Sequence, residues 1–324
     1  MKKHAAFTML ELLFAIVVIG ILAKFGVEFL AQAYRGFIYS NVNHTLQAQS
    51  EGAVELIAAK LQYRIKDSVI ARHDIDNLNT SNTRFYPIGD LNDTFMDNYA
   101  LLEWIGEDAD GFRGANLPYW SGIFDLASST ITILNSPETN TTTTNTLIGI
   151  LSDGNTTIND AALYFTGAPS DITQMGWKGR YFDAVNNVTL NFPTPNPINN
   201  QTQNIHPIED NFITTESQFA PRAGTGSFFG VNVYEYFKLT WSAYAVRLED
   251  YNTTGNNTGD LYFYYDYQPW DGESYLNGKK SLLAQNISTF RFKAMGSLLK
   301  IQVCVKSDLL SNEEHSICKD KTVF

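Results

Sequence analysis

Residues 7–23 of the chain form one apolar run, FTMLELLFAIVVIGILA, interrupted by a single charge at Glu11. A run of that size makes a helix able to cross most of a bilayer. Lys2, Lys3 and His4 precede it, and basic residues ahead of a first apolar segment favour a cytoplasmic start and an exported remainder. Glu11 constrains the reading most. A carboxylate near membrane depth costs about 2.5–3.5 kcal/mol on insertion scales, so it calls for a cation held at the same depth. A plain signal anchor supplies no such cation. No convincing small-x-small cleavage site follows the run to mark a conventional signal peptide.

Past Ala23 the pattern becomes amphipathic. Leu30, Tyr34, Phe37, Ile38, Val42, Leu46, Ala53, Ile57, Leu61, Ile65 and Val69 recur mostly every three or four residues, which places them on one helical face. Gln32, Arg35, Gln47, Glu51, Glu55, Gln62 and Lys66 occupy the other side. The first proline is Pro87. Gly26, Gly36 and Gly52 weaken the helix by about 1 kcal/mol each relative to Ala and are its expected bending points. The spacing predicts one helix over residues 7–71, roughly 95 Å long. No single domain buries that length. Half of it belongs in a membrane or filament and half on a headgroup. Strict heptads are not kept, which disfavours a coiled coil.

After Ala71 the texture changes. Asn-, Thr-, Gly- and Pro-rich stretches at 77–83, 135–145, 193–203 and 252–259 read as surface loops. Between them lie short apolar or alternating runs, read as strands: 99–105, 131–134, 147–151, 163–166 and 188–192. A long run follows over 233–248. The strand 261–267 pairs with its end as a hairpin, and 287–293 with 298–305 form a second hairpin around Met295-Gly296-Ser297. The fold class is α+β: a long transmembrane and amphipathic helix packed on a mostly antiparallel β headgroup over residues 72–324.

The segment Lys2-Lys3-His4-Ala5-Ala6-Phe7-Thr8-Met9-Leu10-Glu11 resembles the type IV prepilin signature. In that family a short basic leader ends in a small residue. A membrane peptidase cuts before Phe or Met, the new N-terminus is methylated, and the fifth mature residue is Glu. The resemblance covers about the first 24 residues. It implies a leader over 1–6, a cut between Ala6 and Phe7, N-methylation of Phe7, and an assembly-register role for Glu11 against the α-amine of a neighbouring subunit. Alanine stands at position 6 where the family has glycine, so slower processing is expected. Length and layout are similar to the larger minor pilins and pseudopilins, such as the J-type pseudopilin of type II secretion and the W-type minor pilin of type IV pili. Those subunits are expected at or near a filament tip as assembly initiators. The implied partners are other pilin or pseudopilin subunits, prepilin peptidase, an inner-membrane assembly platform, and lipid before assembly. The implied location is the bacterial inner membrane, single-pass with a periplasmic head, and then an envelope filament.

Two cysteines are present, Cys304 and Cys318. An exported body meets an oxidising compartment, where a bond between them is expected, and many pilins carry a C-terminal disulfide loop. Glu107-Asp108-Ala109-Asp110-Gly111 is an oxygen-rich segment that makes Asp108 and Asp110 weak calcium candidates; a solvated acidic turn is the competing reading, since full calcium-loop spacing is missing. No other cofactor is implied. Three segments read Asp-x-Asn-x-Thr and resemble the extended sequon of bacterial N-glycosylation, making Asn92, Asn155 and Asn252 candidate acceptors. The histidines His4, His44, His73, His206 and His315 form no metal spacing, and no Gly-x-Ser-x-Gly elbow occurs. The aromatic density over 228–275 reads as core strands ahead of a stacking surface. With 23 basic against 34 acidic side chains, direct nucleic-acid binding is not expected.

Two functions remain in view from the sequence. One is a structural, non-catalytic pilus, type II secretion or competence subunit. The other is a membrane-anchored periplasmic binding module or hydrolase outside any filament. Losing Lys2 and Lys3 with the leader takes the formal charge from −11 to −13, nearly all of it on the exported part.

Overall fold

The computed structural model describes residues 8–72, 84–91, 101–169, 171–183, 188–192, 204–210, 213–222, 227–307 and 315–324, with side chains omitted over 181–183 and 188–192. The first helix, α1 (Met9–Gln62), is 54 residues long and runs unbroken through its glycines. It stops at Gln62, short of the expected Ala71, because a strand takes over the backbone. Ile65 N–H donates to Ile105 O at 2.9 Å and Glu107 N–H to Tyr63 O at 2.7 Å. A single 3₁₀ turn at Lys66–Ser68 follows. Ile65 and Val69 keep their helix-like spacing and are both buried, but the turn between them carries the chain into β1 (Ile70–Arg72). Tertiary pairing thus outweighs the periodicity.

The large sheet draws on both ends of the chain. Its early strands are β1, β2 (Arg84–Pro87) and β3 (Leu101–Gly106). A short helix, α2 (Ala109–Arg113), follows β3. The small sheet then begins with β4 (Leu134–Asn135) and, after helix α3 (Thr141–Leu151), β5 (Ala162–Phe165). Strands β6 (Gly179–Asp183) and β7 (Val188–Phe192) return to the large sheet, while β8 (Ile205–Glu209), β9 (Gln218–Pro221) and β10 (Phe237–Thr240) complete the small one. The last five strands are β11 (Ser242–Glu249), β12 (Gly259–Tyr267), β13 (Lys279–Met295), β14 (Leu298–Lys306) and β15 (Ser316–Val323). The ten-stranded order is β15-β14-β13-β12-β11-β3-β1-β2-β6-β7, and the five-stranded order is β10-β5-β8-β9-β4. Pairing is antiparallel except between β2 and β6. Both expected hairpins form, β11–β12 and β13–β14.

Three cores follow from strand alternation. On one face of the large sheet, Trp104, Val246, Phe263, Phe292, Ile301, Val303 and Val305 pack against Val42, Leu46, Ala53, Ile57 and Leu61 of α1. On the opposite face, Ile105, Ala243, Ala245, Tyr267 and Trp270 meet Ala162, Tyr164 and Ile205 of the small sheet. The far face of the small sheet is closed by Trp120, Phe124, Ile148, Phe228 and Trp241. Most of the aromatics of 228–275 therefore lie in cores. Between the two sheets sits a buried charge group. Arg72 pairs with the fully buried Glu103, which also accepts from Tyr267 Oη at 3.0 Å. Breaking one partner of such a pair strands the other charge.

Three local expectations are corrected. The run 233–248 is two strands in different sheets, broken at Trp241, whose indole turns into the far core while β10 ends and β11 begins. The segment 147–151 is the end of α3, not a strand. Asn140 Oδ1 caps that helix by accepting from Thr143 N–H at 2.7 Å, and Thr144 and Thr146 bond the carbonyls four residues back. A cap of this kind, worth about 1 kcal/mol, sets the backbone against the β-propensity of the residues after it. Within 131–134 only Leu134 pairs, with Phe219.

His206, at the centre of the small sheet, packs on Phe165 with ring centroids 5.1 Å apart, and its Nδ1 has no hydrogen-bond partner among the described residues. Burial pushes its imidazole down from 6.5 to about 4. The folded ring stays neutral in this window while the unfolded one protonates, so the unfolded state binds more protons and stability falls as pH drops from 6.5 toward 4. The loss amounts to about 3 kcal/mol. Asp271, raised to about 6 by burial, acts in the opposite sense and partly masks it. Urea unfolding of His206→Phe and wild type should show their difference in stability change by about 3 kcal/mol across this range. A pH-independent difference would contradict the buried neutral imidazole.

Candidate functional site

Glu11 lies in the first turn of α1, exposed, within a reciprocal cap. Thr8 Oγ1 accepts from Glu11 N–H at 3.3 Å, and Thr8 N–H and Oγ1 both donate to Glu11 Oε2 at 2.9 Å. The helix start itself favours a negative charge there. Thr8-x-x-Glu11 ahead of an apolar run is the sequence signal for this capping box. In the isolated chain the carboxylate is thus held locally by Thr8. Ala6 and Phe7 lie outside the described residues.

From Met9 to Phe37 the large side chains of α1 are exposed, Phe37 at 67%; by Val42 exposure has fallen to 5%. The switch follows from where the large sheet ends. Only the second half of α1 runs over β13, β14 and β15. The exposed stretch is roughly 43 Å of helix, longer than a hydrocarbon core of about 30 Å. The helix is long and apolar enough to cross a membrane. A core of that thickness takes up about 20 residues, so counted from Met9 the exposed Phe29, Leu30, Tyr34 and Phe37 lie past it.

The docked half is pinned at its end. Arg64, just past α1, is buried. It donates to Leu61 O at 2.8 Å, to the Phe324 backbone oxygen at 3.2 Å and to Ser297 O at 3.4 Å. One guanidinium therefore joins the end of the helix, the β13–β14 turn and the end of β15. Along the flank, Lys319 faces Glu51 at 3.6 Å and Lys321 pairs with Glu55. Sequence spacing gave no signal for Arg64, because its partners are all backbone oxygens. Cys304 and Cys318 are directly opposed across β14 and β15 and are joined by a disulfide.

The other candidate residues are dispersed. Asp108 is buried at the start of α2, and burial pushes its carboxyl up. It accepts from Gly111 N–H at 3.1 Å, Trp120 Nε1 at 3.0 Å and Trp241 Nε1 at 3.4 Å. A calcium ion would have to displace these donors, and Asp110 is instead a half-exposed side chain 4.0 Å from Arg113. No group of three or more metal-ligating side chains occurs among the described residues. Asn92 lies outside the described residues; Asn155 and Asn252 are both exposed. Beside the last turns of α1 a cleft of about 450 Å³ opens over Tyr244, Phe263 and Tyr265. Its acidic groups are engaged structurally: Glu107 pairs with Lys238 at 2.5 Å, and no histidine lines it.

The described residues thus combine an apolar helix long enough to cross a membrane, a capped glutamate in its first turn, and a β head packed on its second half. The family model for the prokaryotic N-terminal methylation motif matches residues 1–23, so the start of the chain is similar to that of type IV pilin-like prepilins, the kind of precursor that prepilin peptidase processes. No curated protein and no solved structure matches the chain.

The disulfide spans 14 residues, a loop whose closure stabilises by about 3 kcal/mol. Replacing both cysteines by serine should lower the unfolding free energy of the periplasm-derived protein by about that amount, read from its denaturant midpoint. An unchanged midpoint, or two free thiols by mass in the wild type, would contradict it.

Proposed function

We propose that the chain is a minor pilin or pseudopilin subunit, cut between Ala6 and Phe7, N-methylated on Phe7, and assembled into a type IV pilus, type II secretion or competence filament. Before assembly it is held in the inner membrane by one span, with its head in the periplasm. The assembly platform then extracts it into the filament. The observation that carries this reading is the coincidence, on one helix, of the methylation motif with a 9–37 stretch whose apolar side chains have no cover. Lipid covers that stretch first and neighbouring subunits later. In the filament, Glu11 of the incoming subunit takes the α-amine of a neighbour's Phe7 in place of Thr8. The two charges then offset each other's membrane cost and set axial register.

The breadth of the head supports a place at or near the tip. Ten strands in one sheet at about 4.8 Å apiece span roughly 40 Å, a width awkward to repeat along a narrow shaft and suited to one terminal copy. The head does its work by contact and needs no catalytic group.

Mass spectrometry of envelope-derived protein should find a chain starting at N-methylated Phe7, dependent on prepilin peptidase. Glu11→Leu should remain stable and membrane-held. Its incorporation into sheared filaments should fall about tenfold or more, because an offset of roughly 2.5–3.5 kcal/mol is lost. An intact Met1, or catalysis by the soluble body, would favour an anchored periplasmic module; unchanged incorporation of Glu11→Leu would remove its register role.

A further inference from the structure

Two of the three Asp-x-Asn-x-Thr segments lie wholly within the described residues, and the fold treats them differently. In the segment around Asn155, every polar side chain is already in use. Asp153 is bound by Lys279 at 3.1 Å. Asn155 Nδ2 donates to Asp266 at 3.2 Å, and Asp266 is buried between the neighbouring elements. Thr157 Oγ1 donates to Asp160 at 2.9 Å as part of a helical cap. Freeing that asparagine breaks its bond to Asp266 of β12.

The segment around Asn252 stands at the tip of the β11–β12 hairpin. Asp250, Asn252, Thr253 and Thr254 are all exposed. Two backbone bonds close the loop, Asn252 N–H to Thr258 O at 3.0 Å and Asn257 N–H to Asn252 O at 3.1 Å. Asn252 Oδ1 accepts from Thr254 N–H and Thr254 Oγ1, both at 3.1 Å. The oxygen half of the amide is therefore held, while the nitrogen donates no hydrogen bond among the described residues and lies against Gly255, where an added Cβ would stand 2.5 Å from it. Asp250 makes no hydrogen bond or ion pair among the described residues, which leaves its carboxylate free to meet a cationic group on a modifying enzyme.

We propose that Asn252 is an N-glycosylation acceptor and that Asn155, despite the same sequence pattern, is not. This rests on export of the head to the periplasmic side. The donor is an oligosaccharide carried on a lipid pyrophosphate, and the catalyst is a membrane transferase. Asn252 Nδ2 attacks the anomeric carbon. The C1–N bond forms as the C1–O bond to pyrophosphate breaks, lipid pyrophosphate departs, and the amide proton passes to a base of the transferase. No redox partner is needed. A glycan there would extend from the hairpin tip without disturbing any core, as bulky surface modification requires.

The test is intact-mass and glycopeptide analysis of the protein from the envelope of its native host. The expected result is a leader-free chain heavier than its sequence by a glycan, with the sugar on the peptide holding Asn252. Asn252→Gln and Thr254→Val should lose it, Thr254→Ser and Asn155→Gln should keep it, and Gly255→Val should lower occupancy at least severalfold. A leader-free chain of unmodified mass, or a glycan on Asn155 and not Asn252, overturns the proposal. A chain still carrying Met1 and facing the cytoplasm fails the export reading and takes this one with it.

Discussion

The structure depends on half of one helix lying across the last three strands. Val42, Leu46, Ala53, Ile57 and Leu61 bury one stripe of α1 against Ile301, Val303 and Val305 of β14 and their neighbours. Burying a side chain of this kind is worth about 1.5–3 kcal/mol, so the seam is the strongest single tie between the ends of the chain. Arg64 closes it by donating to the backbone oxygens of Leu61, Phe324 and Ser297. The disulfide locks β15, which carries Lys319 and Lys321 toward Glu51 and Glu55, to β14. The helix is thereby fixed to its head along a line.

The rest of the head is built outward from that seam. Ala243 and Ala245 leave room on the far face of β11 for the small sheet to approach. The Arg72–Glu103 pair sits in that interface with Tyr267 on the same carboxylate. A charge group there adds little net stability, but it penalises any shifted register that would separate its members. Trp241 is the hinge of the arrangement. It ends one sheet and begins the other, and its indole N–H reaches the Asp108 carboxylate that also caps α2. An acidic segment that reads from sequence as a loop for a cation is, in three dimensions, a structural acceptor for indoles.

Function follows from what the head does not cover. Among the described residues the apolar helix from Met9 to Phe37 is largely uncovered, and the proposed function rests on other subunits supplying that cover. The hairpin tip at Asn252 lies on the large sheet, carried by β11 and β12, and Asn252 is exposed.

Local pattern alone determined the elements that need only local physics. The apolar run, its glutamate and the three-to-four periodicity of α1 are readable residue by residue, because helix and membrane preferences act within a few turns. The hairpins at 261–267 and 287–305 and the cysteine pair were legible for the same reason. What the sequence could not decide was where long-range contacts override local preference. The end of α1 at Gln62 depends on Ile105, the helix over 147–151 on the Asn140 cap, and the break at Trp241 on a core assembled from distant segments. The two identical sequons make the same point. Only the tertiary structure separates them, because Asp266 and Lys279, which bind the first, are more than a hundred residues away in the chain. The side-chain bonds of Asn252 itself stay within its own loop, although Tyr251 Oη reaches Ser288 O and Lys306 Nζ reaches Asn256 O beside it.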